Sequence, residues 1–175
     1  MYKPIAIATG VVMALGAAGA GAATAAKLTD PQIAHIAYTA GVIDIKVAEQ
    51  ALAVSKNEAV RAFATSMVND HKAVNDQALA LVTKLGVTPE DNDTSKSLVA
   101  QSEAKSAELA KLSGADFDKT YVANEVAYHK AVNAAVADLL IPSASNAELK
   151  SLLETGLKIF QGHQQHAEQV AEGLK

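Results

Sequence analysis

The sequence predicts an all-α protein, a four-helix bundle with an additional short helix in the connection between helices two and three. Three observations predict it. Apolar residues recur at the three-and-four spacing of a helix face through four stretches of similar length. Ala is very abundant, followed by Val and Leu, and these side chains suit helices because Ala and Leu lose little freedom there. Helix start and stop signals also fall where the periodicity begins and ends. Four Pro and the lack of β-rich runs bounded by turn residues argue against a sheet.

The first helix follows Thr29-Asp30-Pro31, a cap with Pro at the first helical position, and runs to about Ser55. Its stripe holds Ile33, Ala37, Ala40, Val47, Ala51 and Val54. The second follows Asn57 and stops at Leu85, before Gly86. Thr88 to Asp93 is a polar connection, and Asp93 or Thr94 caps a shorter helix to about Leu112. Ser113-Gly114-Ala115-Asp116 breaks the chain. The third long helix runs from near Asp116 to about Leu140, with Val122, Val126, Val132, Val136 and Leu139 inward, and Ile141-Pro142-Ser143 ends it. The fourth starts near Asn146 and runs to the C-terminus. Four apolar stripes of this kind are buried most simply against one another.

Residues 1–26 read as an address. Met1-Tyr2-Lys3 is a short positive start, Ile5 to Leu15 is apolar, and Gly16 to Ala26 is rich in small residues. Ala23-Thr24-Ala25 fits the small-x-small cleavage rule, so cleavage is expected near Ala25 or Ala26. An uncleaved anchor is the alternative, since the run is long enough to span a bilayer. Against it, the run turns to Ala and Gly at its end and lacks a stop-transfer charge cluster. Residues 27–175 are then the mature domain, periplasmic or secreted, with no integral span. Peripheral attachment to a membrane stays open.

Composition narrows the chemistry. A net charge of −4 and a pI near 5.7 give no footprint for nucleic acid. The absence of Cys excludes disulfides, thiolate metal sites and Cys nucleophiles. No Gly-rich phosphate loop, G-x-S-x-G elbow or H-E-x-x-H motif is present.

What stands out is polar. Asp44, His71, His129 and His163 each occupy a position where their helix's stripe calls for an apolar residue, and each lies near the middle of its helix. In an up-and-down bundle the middles share one level, so the four should converge. Glu125 lies one turn before His129 on the same face. Burying an unpaired charge costs several kcal/mol, which a shared cation or mutual hydrogen bonding would relieve. Neutral imidazoles with carboxylates suit Zn, Cu, Fe or Ni. The competing reading is a metal-free network of hydrogen-bonded His and Asp. A four-carboxylate di-iron site is disfavoured, because Glu125 and His129 are spaced i,i+4 and core carboxylates are few.

His166, one turn beyond His163, is a further candidate ligand and equally a rim residue. His35 is expected on an exposed face. Asp70 should point away from His71 as a solvated carboxylate. Tyr38, Tyr121 and Tyr128 are read as packing residues, and Glu49 and Glu103 as surface charges.

The stretch Val60-Arg-Ala-Phe-Ala-Thr-Ser-Met-Val-Asn-Asp-His71 carries a resemblance, joined by Phe117-Asp-Lys-Thr-Tyr121, by Tyr128-His129, and by His163 with Ala167 and Val170. On these residues the chain resembles a ferritin-like domain-of-unknown-function family of exported bacterial proteins, often labelled putative outer membrane proteins. The resemblance covers about Pro31 to Leu174 and implies a ferritin-like fold and an exported location. The family's acidic residue on helix one, usually Glu, matches Asp44. Leu157-Lys158 stands where the family often has Leu-Pro. The resemblance implies little about activity, and no strand-barrel pattern supports the outer-membrane label.

Three functions follow as expectations. The first is a non-enzymatic metal-binding bundle for storage, buffering or stress protection, with Asp44, His71, His129 and His163 as ligands and Glu125 as a ligand or its partner. The second is a metal-dependent oxidase-type enzyme in the same pocket. The third is a metal-free structural or interaction protein of the envelope, in which His71→Leu is tolerated or stabilising. Ala-rich faces permit close packing within one chain and pairing into a homodimer alike.

Overall fold

The computed structural model describes residues 27–175; the signal-peptide reading of residues 1–26 lies outside them. Among the described residues every regular element is helical. The elements are α1 (Asp30–Val54), α2 (Glu58–Leu85), α3 (Asp93–Leu109), α4 (Gly114–Ala135), a π-helical segment (Val136–Leu140), the short α5 (Ile141–Ser143) and α6 (Ala147–Gly173).

Local chemistry sets most of these boundaries. Thr29 and Gln32 form a reciprocal capping box at the start of α1, with Pro31 in the first turn. The Asn57 side chain accepts from the Ala59 and Val60 amides, and Asn146 does the same for Glu148 and Leu149. Gly86 ends α2 at φ 63°, a left-handed conformation that favours a residue without Cβ. Gly114 opens α4 at φ 56°, two residues before the expected start at Asp116.

Hydrogen bonds between elements fix the direction of each helix. The Asp30 carboxylate accepts from the amides of Ser145 (2.8 Å) and Asn146 (2.9 Å), so α1 and α6 begin side by side. The Glu90 amide donates to the Pro31 carbonyl at 3.1 Å, which brings the start of α3 to the same end. Further along, Gln50 Nε2 donates to the Ser106 carbonyl at 3.1 Å, holding α3 along α1. Thus α1, α3 and α6 run one way, and α2 and α4 the other. α3 returns the chain to the far end so that α4 can run beside α6. Helix α2 packs on both α1 and α6.

The interior has three levels. At one end Val47, Ala51, Val60, Phe63, Met67, Phe117, Tyr121, Val122 and Ala167 form an apolar cluster. At the other, Ile33, Ile36, Val136, Leu140, Leu149 and Leu153 form a second. Between them lie the buried polar side chains Asp44, His71, Glu125, His129 and His163.

Three sequence expectations need correction. Leu139 was expected inward but is 39% exposed, while Leu140 is buried in its place. The cause is the π-helical segment, in which the Ile141 amide reaches back five residues to Val136 and turns the register. Helical structure also continues to Ser143, past the expected stop at Ile141-Pro142. Pro142 has no amide hydrogen and would crowd the carbonyl four residues before it, so the wider turn just ahead accommodates its ring. Helix α3 ends at Leu109, not Leu112.

Candidate metal centre

Each of the four core-spanning helices contributes to the polar level: Asp44 from α1, His71 from α2, Glu125 and His129 from α4, and His163 from α6. All five are buried. One ring nitrogen from each of His71, His129 and His163 lies within 4.8 Å of the others, and so do one atom each of Asp44, Glu125 and His129. His129 belongs to both groups. These clusters could hold a metal ion.

The outward-facing ring atoms decide what the inward ones can do. His163 Nε2 lies 2.9 Å from Asp70 Oδ2. A carboxylate only accepts, so this nitrogen carries the proton and leaves Nδ1 bare. His129 Nδ1 lies 3.1 Å from the Glu125 carbonyl, and the same reasoning leaves Nε2 bare. His71 Nε2 lies 3.3 Å from Asp44 Oδ2. His163 Nδ1, His129 Nε2 and both ring nitrogens of His71 have no hydrogen-bond partner in the protein. In His163 and His129 one nitrogen is held while the other is free, which is how metal-binding histidines are oriented. The rings are also fixed sideways: Phe160 stacks on His71 with centroids 4.8 Å apart, and Tyr128 meets His129 edge-on.

Burial sets the charge. It pushes His71 down to about 2, helped by the neighbouring His129 and His163. It pushes His129 down to about 4, again with His163 contributing. His163 is also lowered by burial, with Asp70 opposing. All three rings are therefore neutral at pH 7, with lone pairs available to a cation. Burial raises Glu125 to about 7, and raises Asp44 well above the usual carboxylate range with help from Glu125. A cation placed beside them would favour their charged forms.

In metal-free protein the shifted histidines and carboxyls act on stability in opposite directions. Lowered His values mean that the unfolded chain binds protons below 6.5 that the folded chain refuses, so stability falls as pH drops. Raised carboxyls act oppositely: the folded chain keeps protons that the unfolded chain releases above about 4.5, up to about 7. The two effects offset each other from about pH 4.5 to 6.5, and the net acid loss comes below that window. Urea midpoints against pH should show this. In the Asp44→Asn, Glu125→Gln variant the fall should begin near 6.5 instead, and an unshifted acid flank would refute the assignment.

Three residues are not where the sequence suggested. Asp70, expected to be merely solvated, is 49% exposed and yet accepts from His163. It neighbours His71 by one helical step of about 100°, and that step points it at α6, which also packs on α2. His166 stands apart from both donor groups. Its ring meets Phe63 edge-on, with centroids 5.2 Å apart, in the apolar cluster one turn along α6. His35 is half-buried, not exposed. Tyr121 and Tyr128 are packed as expected, with the Tyr128 hydroxyl donating to the Ala40 carbonyl at 3.1 Å.

Asp70→Ala tests the outer support. Its side chain is half in solvent, so the fold should survive, while loss of the His163 anchor should weaken metal affinity by about 10- to 100-fold. Calorimetric titration would show it, and unchanged affinity would rule out an orienting role.

The floor of the site is reached from outside through a cavity of about 230 Å³ between α1, α3 and α4. Asp44 and Glu125 line it together with Gln101, Ser102, Lys105 and Glu108 of α3.

Comparison with known proteins agrees with this architecture. The family described as "Domain of unknown function (DUF4142)" matches residues 15–170. The chain belongs to the DUF4142 family. No curated protein matches it. A crystal structure of a DUF305 fragment from Deinococcus radiodurans is similar in fold, with a TM-score of 0.69 at 16% identity, covering 82% of this chain and 96% of that one. At that identity the likeness concerns the helical fold alone. Membership of DUF4142 brings no activity with it, so function rests on the site.

Proposed function

We propose that this DUF4142 protein is an exported, ferritin-like four-helix bundle, with α3 as the additional helix, that binds a transition-metal ion in its core. His71, His129 and His163 are the nitrogen donors, and Asp44 and Glu125 the carboxylates beside them. The observation that supports this best is the set of three neutral rings, each with a nitrogen that no protein group satisfies. A metal-free site would have to satisfy those lone pairs with bound water, and leaving them bare costs about 1–3 kcal/mol each. Nitrogen donors with carboxylate oxygens suit Zn, Cu or Fe. The role that fits is storage, buffering or protection of the envelope under stress.

Export rests on the sequence pattern of residues 1–26, with a periplasmic or secreted location. No helix among the described residues is long and apolar enough to cross a membrane. An oxidase-type enzyme is the second reading, favoured by an apolar cavity that reaches His71.

Elemental mass spectrometry on untagged protein purified from the host's periplasm tests the proposal. Near-stoichiometric metal is expected, and should be lost when Asp44, His71, His129 and His163 are all replaced. Native protein without metal, and unable to take up Zn, Cu, Fe or Ni, would overturn it.

A further inference from the structure

A second cavity, of about 70 Å³, is lined by α1, α2, the start of α3, α4, the π-helical segment and α6, and reaches His71. Its walls differ from those of the groove. Ala37, Val74, Ala78, Val136, Leu140 and Leu153 are among them, and the polar groups of the site enter only at one end, through Asp44 and His71. We propose that this cavity is a binding site for a small nonpolar molecule of the size of dioxygen, held against the His71 edge of the donor cluster.

Size and polarity select the ligand. One water needs about 10–15 Å³ of such space, together with two to four polar partners. This cavity is several times larger, and its walls are mostly apolar, the polar side chains among them being Asp44, His71, Asn75, Thr94 and Tyr38. A cavity of roughly 150 Å³ lined by Leu, Ile and Phe stays dry and takes benzene or xenon. Half that volume excludes a ring but admits two or three heavy atoms. An ion or a sugar would lose its hydration with nothing in exchange.

Gly41 and Gly156 both line the cavity, and each leaves room for a neighbouring side chain; a Cβ on Gly41 would clash with the Asn75 amide. A Cβ on Gly156 would come within 3.3 Å of the Phe160 ring, the same ring that stacks on His71. The π-helical segment forms another wall with Val136, Leu139 and Leu140, and such interruptions of an α-helix are frequent at functional sites. The metal centre would thus have two approaches of opposite character: a polar groove at Asp44 and Glu125 suited to a cation, and an apolar chamber at His71 suited to an uncharged molecule. The delivery role rests on the proposed metal reading; binding in the chamber does not.

The probe is xenon, applied to metal-free protein, as crystals under pressure and in solution by 129Xe resonance. A xenon site bounded by Ala37, Val136 and Leu153 is expected. It should disappear in Ala37→Leu and in Ala78→Leu, which fill the space from different helices, so one misfolded variant does not remove the test. No xenon in the native protein, or xenon retained in both folded variants, overturns the proposal. Zn uptake by the same two variants should equal that of the native chain. Xenon without Zn would therefore count against the metal reading and leave the chamber standing, and Zn without xenon the reverse.

Discussion

Zn²⁺ in excess over the metal-free protein is expected to raise its melting temperature by about 8–16 °C. The figure follows from linkage. A ligand that binds only the folded chain, free at about a thousand times its Kd, stabilises by about 4 kcal/mol. In a domain of roughly 150 residues each kcal/mol moves the midpoint by about 2–4 °C. The site should reach that regime because its rings are already neutral and already held, so binding Zn costs neither deprotonation of the histidines nor much ordering. Circular dichroism melts with and without Zn, and again after chelation, would measure it. The Asp44, His71, His129 and His163 quadruple variant should show no shift. His166→Ala should show the full one, since His166 lies outside both donor groups. A native midpoint unmoved by Zn, Cu, Fe and Ni would sink the idea of a metal centre.

The parts of the site that were legible in the sequence were those governed by a single helix's period. Asp44, His71, His129 and His163 break their own apolar stripes at mid-helix, and this register alone places them on one interior level. Glu125 follows from the i,i+4 relation to His129. The length of the helices and their caps was equally visible, because Thr29, Asn57, Gly86 and Asn146 act on neighbours within a few residues. What could not be read depends on which helix stands beside which. Asp70 looks like a solvated residue on α2 considered alone, and becomes the partner of His163 only because α6 packs there. His166 has the right face and the wrong height: one turn is enough to move it from the polar level to Phe63. Leu139 failed for a different reason. A regular period was extended through a segment where Pro142 forces a wider turn, and one residue of slippage exchanges an inward side chain for an outward one.

The layering makes stability and metal binding separable, and Phe63→Ala should show it with the largest loss of stability of any single change considered. Phe63 is fully buried at the centre of the cluster next to the polar level, with ring centroids 6.1 Å from Tyr121 and 5.2 Å from His166. Truncating such a ring removes its transfer energy and leaves a void that neighbours on four fixed helices can only partly close, at a cost of about 3–5 kcal/mol. That corresponds to a midpoint lower by about 6–20 °C. Yet Phe63 makes no contact through which a donor nitrogen is held: His129 is oriented by its own helix, His163 by Asp70, and His71 by Asp44 and Phe160. At a temperature where the variant is folded, its Zn stoichiometry and affinity should therefore match the native protein, and Zn should restore much of the lost midpoint. Melts and calorimetric titrations on one preparation would decide. If affinity fell together with stability in the folded variant, the apolar cluster would be positioning the donors itself, and the polar level would have no independence from the packing around it.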